Sequence, residues 1–235
     1  MDNSIALVTG ANKGIGKEIA RRLADAGHTV YVGSRDAARG ERAAEEIGGD
    51  ARPLVLDVTD AASVAEAVRQ VAALDILVNN AGISGENRTP EREDTDAFRR
   101  IYETNVFGVV TTTNAFLPSL RRSEHPRIVN ISSGTGSLTW STGPEFPHQG
   151  TYAAYRSSKA ALNALTVFYA HALADDGIKV NALAPGLRRT DLNATAAASD
   201  GDPAEAAAGA VRLALLPEDG PSGEFFSWDG TSVPW

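Results

Sequence analysis

Apolar residues recur along this chain in two alternating rhythms: short unbroken runs, and longer stretches with a helical repeat. The runs fall at 4–9, 29–34, 52–57, 75–79, 127–132, 178–183 and 223–227. They are brief and apolar on both sides, as parallel strands covered on both faces are. Between them the helical repeat appears near 15–26, 37–47, 61–73, 94–120, 151–175 and 203–216. Asp, Ser or Thr introduces several of these stretches, and Gly27 and Gly177 close two, as helix caps and stops do. This alternation predicts an α/β fold, a doubly wound parallel seven-stranded sheet with helices on both faces. No internal repeat or linker interrupts it, and the one biased tract is Ala-rich, at 194–210, so residues 1–235 are expected to form a single domain.

In such sheets ligands bind at the carboxyl ends of the strands. The search for function therefore narrows to Thr9 to Gly16, Ser34-Arg35, Asp57-Val58, Asn79 to Gly82, Ser132-Ser133 and Ala184 to Gly186. The first of these places Gly10, Gly14 and Gly16 on the turn between a strand and a helix, which reads as a phosphate site. Glycine lets a backbone approach a ligand closely, and a helix N-terminus offers free N–H groups with partial positive charge. The spacing G-x-x-x-G-x-G differs from the G-x-G-x-x-G of dinucleotide turns, so the turn alone does not name its ligand.

Composition removes several alternatives. Hydrophobic content of 43% with 22% charged residues is ordinary for a soluble protein. No apolar stretch approaches the roughly 20 residues of a membrane helix. Met1 to Ser4 leads into the first strand without a signal-peptide pattern, so the cytoplasm is the expected address. With no cysteine there is no disulfide, thiolate zinc site or cysteine nucleophile, and His28, His125, His148 and His171 lack ligand spacing, so no metal is expected. A net charge of −8 opposes general attraction to nucleic acid or anionic membranes. The pairs Arg21-Arg22, Arg99-Arg100 and Arg121-Arg122 read as solvated helix faces.

Four strings occur in order: TGANKGIG at 9–16, NNAG at 79–82, ISS at 131–133, and Tyr155-Arg-Ser-Ser-Lys159. Together they resemble the short-chain dehydrogenase/reductase family. The likeness spans essentially the whole chain, since Asn105 falls in an ETN-type helix motif and Asn181 to Gly186 matches the segment after the sixth strand. The C-terminal stretch Gly223 to Gly230 and the final Val-Pro-Trp235 look like the carbonyl-reductase branch. The resemblance implies a Rossmann-type fold and an oxidoreductase.

Tyr155 and Lys159 are four apart on a predicted helix and project from one face. A tyrosine titrates near 10, and an adjacent ammonium lowers that value, which suits Tyr155 to be general acid. By resemblance Lys159 also holds the nicotinamide ribose. A hydroxyl donor after the fifth strand would steady the substrate oxygen; the family places it at Ser133, with Ser132 as the alternative. The resemblance gives Asn105 a water linking Lys159 to solvent, compatible with an amide that satisfies a broken helix turn. Tyr152 competes poorly with Tyr155, because Arg156 rather than lysine stands four residues on.

Hydride must come from a cofactor, since no side chain supplies one. At the end of the second strand an acid would bind the adenosine 2′-hydroxyl and an arginine a 2′-phosphate. The residues there are Ser34 and Arg35; Asp36 already begins the next helix, and Lys13 adds a second cation. NADPH/NADP+ is therefore expected. The expected cofactor surface comprises Gly10, Asn12, Lys13, Gly14, Ile15 and Gly16 of the turn, then Ser34, Arg35, Asp57 and Val58. It continues through Asn80, Ala81, Gly82, Tyr155 and Lys159 to Pro185, Gly186, Arg188 and Thr190. Asp57 has a capping alternative. Arg188 departs from the branched apolar residue usual in the family, and its cation is expected either in water or near the site mouth, there recognising an acidic or carrier-bound substrate. A second departure, Ser137 to His148, carries Trp140 and Phe146, which either wall an apolar pocket or pack over the 151–175 helix.

These readings converge on an NADPH-dependent carbonyl reductase acting on a ketone or aldehyde, reversible to alcohol oxidation. The alternatives are an acyl-carrier-linked ketoacyl or polyketide ketoreductase and a non-catalytic NADP(H)-sensing protein. The expected partner is a small molecule rather than nucleic acid or membrane, and a monomer or homodimer is expected over a tetramer.

Overall fold

Seven parallel strands hydrogen-bond in the order β3-β2-β1-β4-β5-β6-β7 in the computed structural model, which describes residues 4–143 and 150–235. They are β1 (Ile5–Val8), β2 (Thr29–Ser34), β3 (Ala51–Val55), β4 (Ile76–Asn79), β5 (Arg127–Ile131), β6 (Lys179–Ala184) and β7 (Phe225–Ser227). Each lies within two residues of the apolar run that predicts it. The longer connections form α1 (Gly14–Asp25), α2 (Ala37–Ile47), α3 (Ala61–Gln70), α4 (Thr95–Tyr102), α5 (Gly108–Leu120), α6 (Leu138–Thr142), α7 (Ala153–Ala172), α8 (Ala194–Ala197) and α9 (Pro203–Ala214). This is a Rossmann-type sheet with helices on both faces.

The pleat of β1 shows why both faces are covered. Ala6 and Val8 join one core with Ile19 and Leu23 of α1, Ile47 of α2 and Leu213 of α9. Leu7, pointing the other way, joins a second core with Val64 of α3, Phe116 of α5 and Ala170 of α7. Side chains that alternate across a strand must be apolar at every position when both faces are buried. The four Asp residues that introduce α2, α3, α4 and α9 act as caps: Asp36, Asp60, Asp94 and Asp202 accept from Arg39, Ala62, Ala97 and Ala204 N–H. Such caps contribute about 1 kcal/mol each.

Two elements depart from the sequence reading. The single helix expected over 94–120 is broken by a π-turn at Glu103–Phe107, between α4 and α5, which inserts one residue and turns Asn105 inward. The stretch after Ser133 forms the one-turn helix α6, capped by Ser137, and Trp140 packs against Ala182, Ala184, Phe225 and Val233. Trp140 thus braces the β7 edge and is not among the residues lining the cleft. Phe146 and His148 lie outside the described residues. Among the described residues no helix is long and apolar enough to cross a membrane.

Strand order reverses between β1 and β4: the chain runs outward through β2 and β3, then crosses back. That switch point opens a crevice at the carboxyl ends of the strands.

Candidate active site

A cleft of about 440 Å³ lies at the switch point. Its floor is the glycine turn. Gly10 and Gly14 adopt positive φ of 63° and 56°, and a Cβ on Gly10 would come within 2.9 Å of the Ala81 Cα. Gly16 leaves no room for a methyl beside Asn80, whose amide donates to Thr9 and Gly10 carbonyls at 2.8 and 3.2 Å. The N–H groups of Asn80 and Ala81 donate to Thr9 Oγ1 at 3.0 and 2.9 Å, so this NNAG segment braces the turn as well as lining the cleft. Unlike the Asp-capped helices, α1 begins at Lys13 with no side-chain acceptor and no acid in its first turn. The combination of close backbone approach and uncapped N–H groups fits a dinucleotide pyrophosphate.

Beyond β2 the cleft is lined by Arg35, and beyond β3 by Leu56, Asp57, Val58 and Thr59. Ser34 is buried and does not reach the cleft; its hydroxyl donates to the Asp36 carbonyl at 2.8 Å and accepts from Asp36 N–H. The Asp36 carboxylate is used in capping α2. Asp57 both lines the cleft and caps a turn, accepting from Thr59 N–H and Oγ1 at 2.9 and 2.7 Å.

The other end of the cleft holds Tyr155 and Lys159. The N-terminus of α7 is set by Tyr152, which adopts the left-handed conformation (φ 57°) and offers no side-chain cap. Lys159 is 5% exposed, and its ammonium donates to the Ile131 carbonyl at 2.8 Å. Burial lowers its pKa to about 8. Tyr155 keeps a face open to the cleft, yet burial raises its pKa above the ordinary value, opposed by the nearby Ser133 hydroxyl and the charge of Arg156. This corrects the expectation that Lys159 draws the phenol down. The ammonium is turned to Ile131 and stands 5.8 Å from the Tyr155 ring centre, so desolvation dominates both groups.

The two serines differ in their partners, and it is Ser132 rather than Ser133 that lines the cleft. Ser132 is buried and its hydroxyl donates to Asn163 Oδ1 and toward the Lys159 carbonyl. Ser133 caps the following turn, shares a 2.8 Å hydrogen bond with Thr135 Oγ1 and faces Tyr155. Asn105 is fully buried behind the wall: its amide accepts from Ile83 N–H and donates to the Ile83 carbonyl, both at 2.9 Å, and donates to Ser158 Oγ at 3.0 Å. It fixes the backbone beside Gly82, whose Cβ would sit 3.4 Å from Asn105 Oδ1 and 3.6 Å from Lys159 Nζ.

The glycine turn, the cleft at the switch point and Tyr155 beside the buried Lys159 form one continuous site. The family profile described as short chain dehydrogenase matches residues 4–201. The chain is a short-chain dehydrogenase/reductase. It is 33% identical to salutaridine reductase of Papaver bracteatum, over 94% of this chain and 93% of the relative. The NADPH-bound carbonyl reductase from chicken fatty liver superposes with a TM-score of 0.85 at 29% identity, covering 100% of both chains. A 3-ketoacyl-(acyl-carrier-protein) reductase from Brucella melitensis, complexed with NADH, gives 0.83 at 28%, covering 95% of this chain and 96% of the other.

In this short-chain dehydrogenase/reductase three residues of the expected cofactor surface stand behind the cleft wall, as Asn105 of the expected catalytic set does. Besides Ser34 these are Gly186, which packs on Trp228, and Arg188. Arg188 is only 8% exposed, its guanidinium lying 4.2 Å from the Trp228 ring centre and 3.2 Å from the Glu205 carboxylate. A cation so placed is neither solvated nor at the site mouth, because stacking and ion pairing draw it beneath the loop. Pro185 and Thr190 do line the cleft, joined by Asp191 and Leu192, which the sequence reading passed over. So do Ile83, Ser84, Thr104 and Ile131. The acid of Asp191, one residue past Thr190, was the available signal.

Proposed function

We propose that this short-chain dehydrogenase/reductase is an NADPH-dependent carbonyl reductase of small ketones or aldehydes, running in reverse as an alcohol dehydrogenase. One observation carries the cofactor choice: Arg35 lines the cleft while the neighbouring acid, Asp36, is spent on capping α2. A free carboxylate there would bind a 2′-hydroxyl; a guanidinium suits a 2′-phosphate. The likeness to an NADPH-bound carbonyl reductase supports the same reading.

A bound nicotinamide dinucleotide supplies the hydride. Gly10, Gly14 and the first turn of α1 would hold its pyrophosphate, Arg35 and Lys13 its 2′-phosphate, and Thr190 its nicotinamide end. Tyr155, raised by burial, keeps its phenolic proton at neutral pH and can deliver it to a carbonyl oxygen. Ser133 donates a hydrogen bond to the same oxygen as charge develops there. Lys159, still mostly protonated at pH 7 and donating to the Ile131 carbonyl, would hold the nicotinamide ribose beside Tyr155. Asn105 acts as a positioning residue through Ile83 and Gly82.

Of the four arginines that could favour a carrier-bound substrate, Arg188, Arg189, Arg121 and Arg122, three are engaged elsewhere, while Arg189 is exposed. Arg188 is buried on Trp228, Arg121 pairs with Asp176 at 2.8 Å, and Arg122 donates to the carbonyls of Pro118 and Ala72. The test is a panel of activated ketones and aldehydes, with NADPH and NADH consumption followed at 340 nm, the absorbance of reduced nicotinamide. Turnover preferring NADPH is expected; NADPH binding without turnover on any member would favour the sensing alternative.

A further inference from the structure

The segment after Thr190 is tied across the cleft at alternate residues. The Asp191 carboxylate pairs with the Lys13 ammonium of the glycine turn. Asn193 Nδ2 donates to Ser84 Oγ at 3.2 Å, on the loop after β4, and Thr195 Oγ1 lies 3.3 Å from the Tyr152 hydroxyl, at the start of α7. Thr190 itself lies over Gly14, whose Cβ would meet its Cγ2 at 3.4 Å. Side chains two apart on an extended backbone would point the same way, and Asn193 is extended (φ −161°, ψ 174°). One strap thus joins three walls of the cleft. Only its first tie is ionic, and that tie holds a cation of the cofactor-facing turn.

We propose that Asp191 is a cofactor-discriminating residue: an anion of the chain itself that occupies Lys13 until the 2′-phosphate of the cofactor displaces it. The proposal rests on the NADPH reading. Both partners are well exposed, 54% for Lys13 and 64% for Asp191, so water screens the pair and holds it weakly. A phosphate monoester carries nearly twice the charge of a carboxylate and three acceptor oxygens. Arg35 lines the same cleft, and no ion pair holds it among the described residues, so it can share the phosphate with Lys13. A dinucleotide without the 2′-phosphate brings no such competitor and leaves the strap latched at Lys13. Release of the strap is thereby made conditional on the third phosphate, at a modest loss of affinity.

The test is the dissociation constant of NADPH and of NADH, read by the fluorescence of the bound nicotinamide, for Asp191→Asn, Lys13→Met, their double variant and Arg35→Asp. Asp191→Asn should tighten NADPH about two- to five-fold and leave NADH unchanged, an effect of the size exposed ion pairs have. Lys13→Met should weaken NADPH about ten-fold, and in that background Asp191→Asn should do nothing. Equal effects on the two cofactors, or tightening that survives the loss of Lys13, would overturn the competition while leaving the NADPH reading intact. If Lys13→Met and Arg35→Asp both leave the NADPH-to-NADH ratio unchanged, the cofactor reading falls and the competition with it.

Discussion

At the β1–β3 end of the cleft the working surface is largely backbone: Gly10 and Gly14 at positive φ, an uncapped helix start, and exposed Lys13 and Arg35. At the β4–β6 end it is a set of buried side chains, Lys159, Ser132, Asn105 and Ser158, each hydrogen-bonded to the next wall. On the proposed function the difference follows from what each end would do. Binding a phosphate needs close approach and partial charge, which backbone N–H groups provide in water. Moving a proton needs groups whose ionisation is set by surroundings drier than water, and the lowered pKa of Lys159 and raised pKa of Tyr155 record that burial.

If the two ends are separable, one substitution at each should fail in a different measurement. The largest effect belongs to Tyr155→Phe, which removes the proton donor and nothing from the glycine turn. Turnover should fall by about 10³-fold or more while the dissociation constant of NADPH stays within about two-fold; a largely active variant would move the acid elsewhere. Gly16→Ala is the counterpart. Its methyl must displace the Asn80 amide and with it the clasp on Thr9 and Gly10, so cofactor affinity should drop about ten-fold, with loss of roughly a few degrees of melting temperature. Unchanged affinity would show that the turn is less rigid than its contacts imply.

Lys159→Met sharpens the comparison at the buried end, because there function and stability should oppose each other. The native pKa of Lys159 is about 8, against 10.5 when unfolded. The native state therefore binds this proton less tightly, and the resulting destabilisation is fully present below pH 8 and gone above pH 10.5. At pH 7 the variant should gain up to about 3 kcal/mol by that measure, less about 1 kcal/mol for the hydrogen bond lost at Ile131. Denaturant titrations across pH 7–10.5 should show the gain shrinking as pH rises. A gain independent of pH would mean that burial of the charge is not its source.

The backbone-built end was easier to read in the sequence than the buried end. Two-sidedly apolar runs of five or six residues, alternating with helical stretches, read as parallel strands, and a glycine turn after the first of them reads as a phosphate site. What escaped were features set by partners remote in sequence. Lys13 and Asp191 are 178 residues apart, and Arg188 meets Trp228 and Glu205 only once α9 and β7 dock. The π-turn hid inside a continuous helical pattern, and only the structure shows Asn105 and Val106 both buried within it. The tyrosine pKa was misjudged because proximity of Lys159 in sequence fixes neither where its ammonium points nor how dry the site is.

The left-handed Tyr152 has a consequence for the residue three places on. By stopping α7 from growing backwards, it keeps Tyr155 in the first turn of a 20-residue helix whose leading N–H groups have no side-chain cap. The aligned peptide dipoles of that helix sum to about half a positive charge at this end. On the proposed mechanism a phenolate at Tyr155 would sit at the positive pole of a fixed dipole, one that needs no proton and does not titrate. A helix begun one turn earlier would carry that pole away from the tyrosine with every catalytic side chain still in place.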